Sequence, residues 1–118
     1  MKIEFFEDII AWQKGQDLTV EIYSTFGNIK DYGFRDQICR AVVSISNNIA
    51  EGFDRDTDAE FVRFLYIASG SCSEVRSMLH LALRLNFIDS KRRDVLVRNA
   101  IEVSKIIKGF IKSLRKNK

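Results

Sequence analysis

The chain has 118 residues and no proline, with 46% hydrophobic residues, 30% charged residues and a formal net charge of +3. A chain of this length forms one domain with enough core to fold without disulfides or metals, and this composition excludes disordered proteins. Without an apolar run of the roughly 18 residues that a membrane span needs, and without a signal-peptide pattern at the start, we expect a cytoplasmic protein.

Apolar residues recur at helical spacing in four segments, which predict helices over residues 8–26, 34–53, 58–86 and 90–115. In the first helix, one side carries Ile9, Trp12, Val20 and Tyr23, and the apolar arc widens through Ala11, Leu18, Ile22 and Phe26. In the second helix, the apolar stripe is Ile38, Val42, Ile45, Ile49 and Phe53. The fourth helix has a stripe from Leu96 to Leu114.

Capping signals separate the predicted helices. Thr57 and Glu60 have the spacing of a capping box at the start of the third helix. Asn86 tolerates the left-handed conformation of a helix C-cap, and Asp89 or Ser90 suits the N-cap of the fourth helix. Since no segment has a strand pattern, we predict an all-α, single-domain, antiparallel up-and-down four-helix bundle.

A polar stripe runs along the second and third helices at helical spacing. It contains small polar side chains together with a few positively and negatively charged ones. This pattern is more typical of a face that contacts another helix than of a solvated face. We expect Arg40 or Arg63 to pair with Glu51 or Glu74, either within one bundle or between subunits. The residues of this predicted polar network are Arg40, Ser44, Asn47, Asn48, Glu51, Arg63, Ser71 and Glu74.

The positive charge is concentrated at the C-terminus. Residues 91–118 carry a net charge of +8, whereas residues 1–90 carry −5. Such an arc is either a solvated helix face or a surface that binds phosphates without reading bases, and no aromatic residue lies among its cations to stack a base. The candidate nucleic-acid-binding residues lie opposite the apolar stripe of the fourth helix and are Arg98, Lys105, Lys108, Lys112, Arg115 and Lys116.

Catalytic and metal-binding patterns are lacking in the sequence. With one histidine, His80, neither a Cys/His metal set nor a histidine-based triad can be assembled. Residues 54–58 imitate the start of a calcium loop, but Ala59 replaces the required glycine. We expect Cys39 and Cys72 to be buried free thiols. We therefore predict no metal, no cofactor and no enzymatic activity.

A long motif resembles a known family. The segments RAVVSISNNIAEGF at residues 40–53 and EFVRFLYIASGSCSE at residues 60–74 resemble the bacterial four-helix-bundle family encoded in intervening sequences of 23S ribosomal RNA, also called the S23 ribosomal protein family. The likeness covers most of the chain before the basic tail. Two positions depart from it, because Ser46 stands where the family often has proline and Asp54 where it often has glycine.

The resemblance implies an up-and-down four-helix bundle that assembles into a ring, with a homopentamer as the expected form. The fold is also similar to that of accessory proteins of diversity-generating retroelements, which form such rings and contact a reverse transcriptase and nucleic acid. We hypothesise a ring that binds RNA or DNA weakly and without sequence preference through its fourth helices. The alternative is a protein-binding adaptor or scaffold with no nucleic-acid role.

Overall fold

Four α-helices make up most of residues 3–116, the part of the chain that the computed structural model describes. They are α1 (Ile10–Phe26), α2 (Tyr32–Phe53), α3 (Asp58–Arg84) and α4 (Ser90–Lys116), and a short 3-10 turn (Phe6–Asp8) precedes them. Short connections join the helices, and each one packs on the next, with α4 returning to α1. The structure measures 47 × 21 × 19 Å, and the predicted up-and-down four-helix bundle is confirmed.

The helix ends follow from local hydrogen bonds. α1 begins two residues later than predicted because residues 6–8 form the separate 3-10 turn, and α2 begins two residues earlier because the Asp31 carboxylate accepts the Phe34 N–H at 3.1 Å. The Thr57 hydroxyl caps α3 as predicted, accepting the Glu60 N–H at 3.1 Å. Asp89 caps α4 in the same way.

The end of α3 is a Schellman motif. Asn86 has a φ of 63°, the left-handed conformation that its amide side chain tolerates. The Phe87 N–H donates to the Ala82 carbonyl at 2.9 Å, and the Asn86 N–H donates to the Leu83 carbonyl at 3.0 Å. The helix therefore stops at Arg84, two residues earlier than predicted, with Asn86 in the predicted capping role.

The core lies along the bundle axis between the four helices. The predicted stripe of α2 is fully buried at Ile38, Val42, Ile45 and Ile49. Ser46 is also buried and accepts a hydrogen bond from the Gln16 side chain at 2.9 Å, which ties α2 to α1. The free thiols of Cys39 and Cys72 are buried as predicted.

Part of one predicted apolar side of α1 faces outward, although Ile9 and Trp12 of that side pack at the core. Val20 is 68% exposed and Tyr23 is 49% exposed, whereas Leu18 and Ile22 are buried. Among residues 3–116, α1 packs against α2, α4 and the short 3-10 turn, so the bundle buries a single arc of this helix. The chain therefore presents apolar side chains at the outer edge between α1 and α2. None of the described helices is long and apolar enough to cross a membrane.

Candidate nucleic-acid interface and assembly face

All six predicted phosphate-binding cations of α4 are exposed. The helix directs Leu96, Ala100, Val103, Ile107 and Ile111 into the core, which leaves the opposite arc to solvent. This arc, the α4 basic flank, contains Arg98, Lys105, Lys108, Lys112, Arg115 and Lys116. The structure therefore places these residues together on one side of one element.

The α4 basic flank is not neutralised by neighbouring carboxylates. Cations in the first turn of α4 are paired, since Arg92 Nη2 lies 4.0 Å from Glu21 Oε2 and Arg93 Nε lies 2.7 Å from Asp94 Oδ1. Within residues 3–116, no member of the flank comes within 4.0 Å of a carboxylate oxygen. Its charges remain available for an external anion.

An aromatic ring lies beside this flank, contrary to the expectation from the sequence. Tyr66, on α3, is 48% exposed, and the Arg115 guanidinium lies 5.3 Å from the centroid of its ring. Sequence reasoning missed Tyr66 because it considered only aromatic residues within the fourth helix. In the sequence, Tyr66 directly follows Leu65, which is buried on α3. The packing of α3 against α4 then brings Tyr66 next to Arg115.

One more basic group, Arg76 of α3, lies near the contact between α3 and α4. Burial raises the pKa of the Cys72 thiol to about 12, and the positive charges of Lys108 and Arg76 oppose that rise in part. The thiol therefore stays protonated and unreactive near neutral pH. Arg76 is half-buried, and its Nε has no hydrogen-bond partner among the described residues. The cationic surface thus extends from α4 onto α3.

Hydrogen bonds join the predicted polar network across α2 and α3. The Ser44 and Ser71 hydroxyls lie 2.6 Å apart and link the two helices. The Asn48 amide donates to the Ser44 carbonyl oxygen at 2.7 Å. All three side chains are partly buried, so the structure brings this central part of the network together.

The ion pairs predicted between the two helices do not form within the chain. Glu51 instead accepts from Arg55 at 2.9 Å, and Arg63 pairs with Glu60 at 3.3 Å. Both observed pairs join residues three or four positions apart in the sequence. Arg63 and Glu60 lie on α3, whereas Arg55 lies two residues after the end of α2, and this spacing already places the side chains side by side. The prediction of cross-helix pairing is therefore wrong for the single chain.

Comparison with known proteins shows the family. The profile of the 23S rRNA-intervening sequence protein family matches residues 7–109. The chain belongs to this family. A solved structure with a similar fold is a protein of unknown function from the S23 ribosomal protein family of Bacteroides thetaiotaomicron, at 25% identity and a TM-score of 0.81, covering 87% of this chain and 99% of that one. No curated protein matches the chain.

In this 23S rRNA-intervening sequence protein, the outer face of α2 forms a ridge between two shallow clefts. Tyr23, Val43 and Asn47 line the cleft towards α1, and Gln37 and Glu74 line the cleft towards α3. We call this surface the α2 face; Arg40, Ser44, Asn47, Asn48 and Glu51 form its ridge, and Glu74 borders it.

Opposite charges on the α2 face lack partners within the described chain. Arg40 and Glu74 line the same cleft, and both are exposed. Neither lies within 4.0 Å of an oppositely charged group among residues 3–116. An available cation and an available carboxylate on this surface can each form an ion pair with a group of opposite charge outside the chain.

The other cavities of this family member hold no recognisable catalytic set. A cleft of about 210 Å³ at one end of the bundle is lined mainly by Phe53, Phe61, Phe110 and the α2–α3 connection. His80 lies elsewhere, with its Nδ1 3.3 Å from an Arg93 guanidinium nitrogen. Among residues 3–116, no three His, Cys, Asp or Glu side chains are grouped to hold a metal ion. The arrangement offers charge and contact surface for binding.

Proposed function

We propose that this family member is a non-enzymatic, ring-forming helical bundle that binds RNA or DNA weakly and without sequence preference. The α2 face joins neighbouring copies, and the α4 basic flank meets the phosphate backbone. We propose a homopentamer, the form implied by the resemblance to the 23S rRNA-intervening sequence family. The observation that carries the nucleic-acid part is the row of exposed cations on α4 without carboxylate partners.

The charges of the α4 basic flank suit phosphate binding for a physical reason. Lys105, Lys108 and Lys112 follow at spacings of three and four residues, so they lie on adjacent turns of one helix face. A row of cations releases the counterions condensed on a nucleic acid, which favours binding at low salt without reading any base. Because lysine ammonium groups act on phosphates as point charges, we expect this binding to have no sequence preference.

Assembly through the α2 face is supported by what that face leaves exposed. Tyr23 of α1 is 49% exposed and lines the cleft beside the ridge, and Ile67 of α3 is 43% exposed. Apolar area next to Arg40 and Glu74 suits a contact between copies, in which Arg40 of one copy meets Glu74 of the next. A ring requires this contact to be head-to-tail, so we propose that Arg40 engages one neighbour and Glu74 engages the other. Repetition of the contact then closes a ring when the rotation between copies permits.

A ring raises a modest affinity of each copy. Once one flank holds a nucleic-acid strand, the flanks of neighbouring copies bind the same strand at a high effective concentration. Weak contacts at one chain therefore add up, provided that the strand is long enough to reach the next copy.

The test of the nucleic-acid part is charge reversal on the α4 basic flank. Binding of a fluorescein-labelled 30-nucleotide RNA is measured by anisotropy between 50 and 300 mM salt for the wild type and for a triple variant, Lys105→Glu, Lys108→Glu and Lys112→Glu. We expect the wild-type affinity to fall steeply with salt, and the triple variant to lose at least about tenfold in affinity. Its slope of log affinity against log salt should be shallower by about 2, since each lost phosphate contact removes about 0.7.

A control variant separates local charge from net charge. Lys30→Glu, Arg84→Glu and Lys91→Glu change the net charge equally but lie at the opposite end of the bundle, and all three side chains are exposed. This control should keep most of the wild-type affinity. Wild-type binding that does not change with salt, or equal losses in both triple variants, would contradict the proposal. If a protein partner co-purifies, remains bound after nuclease treatment and no RNA is retained, the adaptor alternative is favoured.

A further inference from the structure

We propose that the bound nucleic acid is single-stranded and that Tyr66 stacks one of its bases beside the α4 basic flank. This inference rests on the proposed function and specifies its ligand. It depends on the placement of an aromatic side chain of α3 against the last turns of α4.

The Tyr66 ring is held in place and is still accessible. The Arg115 guanidinium lies over the ring at 5.3 Å from its centroid, while 48% of the residue remains exposed. A cation over one side of the ring restricts its rotation and attracts the π system. A ring that is already oriented loses little conformational freedom when a base stacks on it.

The surroundings of Tyr66 leave room for a planar ligand. One turn further along α3 is Gly70, and a Cβ added there would meet nothing within 4 Å. Ser73, a further turn away, is small and exposed. The α3 residues beside Tyr66 therefore have small side chains or none, and the tyrosine ring projects beyond them.

Phosphate-binding charges lie within reach of the same ring. Arg115 touches the ring, and Lys108 precedes it by seven residues on α4, about 10 Å along the helix axis. A single strand can direct its phosphates to these cations and turn a base onto Tyr66. In a duplex the bases are already paired and stacked, so the ring has no free base face to contact.

A second tyrosine provides an internal control. Tyr32 is 61% exposed, and the Arg35 guanidinium lies 4.6 Å from its ring centroid, so its local geometry is comparable. It lies at the start of α2, next in sequence to Asp31 and close to Asp36, far along the chain from the basic flank. Carboxylates there repel phosphates, so we expect no base to stack at Tyr32.

The experiment compares Tyr66→Ala with Tyr32→Ala on three probes: a 30-nucleotide oligouridylate, a 30-nucleotide oligothymidylate and a 30-base-pair RNA duplex. We expect Tyr66→Ala to weaken binding of both single strands by about fivefold or more, which is the effect of one lost base–aromatic stack. The slope against salt should not change, because no phosphate contact is lost. Duplex binding and the Tyr32→Ala variant should match the wild type, and Tyr66→Phe should retain wild-type affinity.

The outcomes separate this inference from the proposed function. If the wild type binds with the predicted salt dependence but Tyr66→Ala binds single strands equally well, the stacking inference is wrong. Phosphate binding by the α4 basic flank would still be supported. An equal loss on duplex and single strands would also overturn the inference. If the wild type binds none of the probes, both proposals fall. A loss limited to the oligouridylate would assign the site to RNA, and a loss on both strands would assign it to either nucleic acid.

Discussion

At the residue scale, burial of the Cys72 thiol couples the stability of the protein to alkaline pH. Cys72 is fully buried, and desolvation raises its pKa from 9.0 to about 12 in the folded state. Because the folded value lies above the unfolded value, the stabilising contribution is complete below pH 9 and is lost as the pH rises from 9 towards 12. The unfolded chain releases this proton more readily than the folded one.

Because the pKa of Cys72 is higher in the folded state, the pH dependence of stability should differ between the wild type and a variant without this thiol. The free energy of unfolding, measured in urea at pH 8 and at pH 10.5, should fall more for the wild type than for Cys72→Ala. The variant is less stable at pH 8 because it leaves a cavity, so the comparison concerns the change with pH and not the absolute value. Equal changes with pH in both proteins would contradict the assignment.

At the scale of the elements, α2 and α3 approach each other closely at Gly52. A Cβ at this position would lie 2.5 Å from Cβ of Phe64 and 3.0 Å from Cδ1 of Phe61. The Phe64 Cβ is attached to the backbone and cannot move unless α3 shifts. Gly52 is therefore required for the packing of the two helices that carry the polar network.

We expect Gly52→Ala to destabilise the protein by about 1 to 3 kcal/mol, which is the usual cost of overpacking a core. Urea unfolding monitored by circular dichroism measures this difference. Gly109→Ala is the matched control, since a Cβ there meets nothing within 4 Å and alanine favours a helix interior. The control should gain up to about 1 kcal/mol. If Gly52→Ala is as stable as the control, α2 and α3 can move apart to accept a Cβ at this position, and the prediction is wrong.

At the scale of the whole molecule, the proposed ring requires a contact between Arg40 of one copy and Glu74 of the next. Light scattering of the wild type should give the mass of a pentamer. Arg40→Glu and Glu74→Arg should each dissociate the ring, while each variant keeps its helical circular dichroism signal. The combined variant restores opposite charges across the contact and should recover part of the assembly.

A charge change away from the α2 face serves as the control for this test. Asp17→Arg alters the net charge by the same amount as Glu74→Arg, and Asp17 lies by the groove between α1 and α4. This variant should assemble as the wild type does. A wild-type mass equal to one chain at all concentrations would refute the assembly, and dissociation by Asp17→Arg would show that net charge, not this contact, controls it.

The family motif and the helix periodicity were sufficient to predict the architecture. Apolar residues at spacings of three and four predict the buried arcs of α2 and α4. Thr57, Asn86 and Asp89 end or begin helices through bonds to their own local backbone. These interactions span a few residues, so they can be read from the chain itself. The exposure of the α4 basic flank follows from the same periodicity.

The contacts between helices were decided only by the tertiary structure. Tyr66 meets Arg115 because the antiparallel packing of α3 and α4 sets their rotation and their offset along the axis, and neither quantity is encoded in the spacing within one helix. In the same way, the sequence offered Glu51 two partners, Arg63 on α3 and Arg55 four residues along the chain. Glu51 pairs with Arg55, which is the nearer of the two in sequence. The periodicity of the sequence determined the exposed arcs of α2 and α4, whereas packing decided which apolar residues of α1 stay exposed and which exposed residues become neighbours.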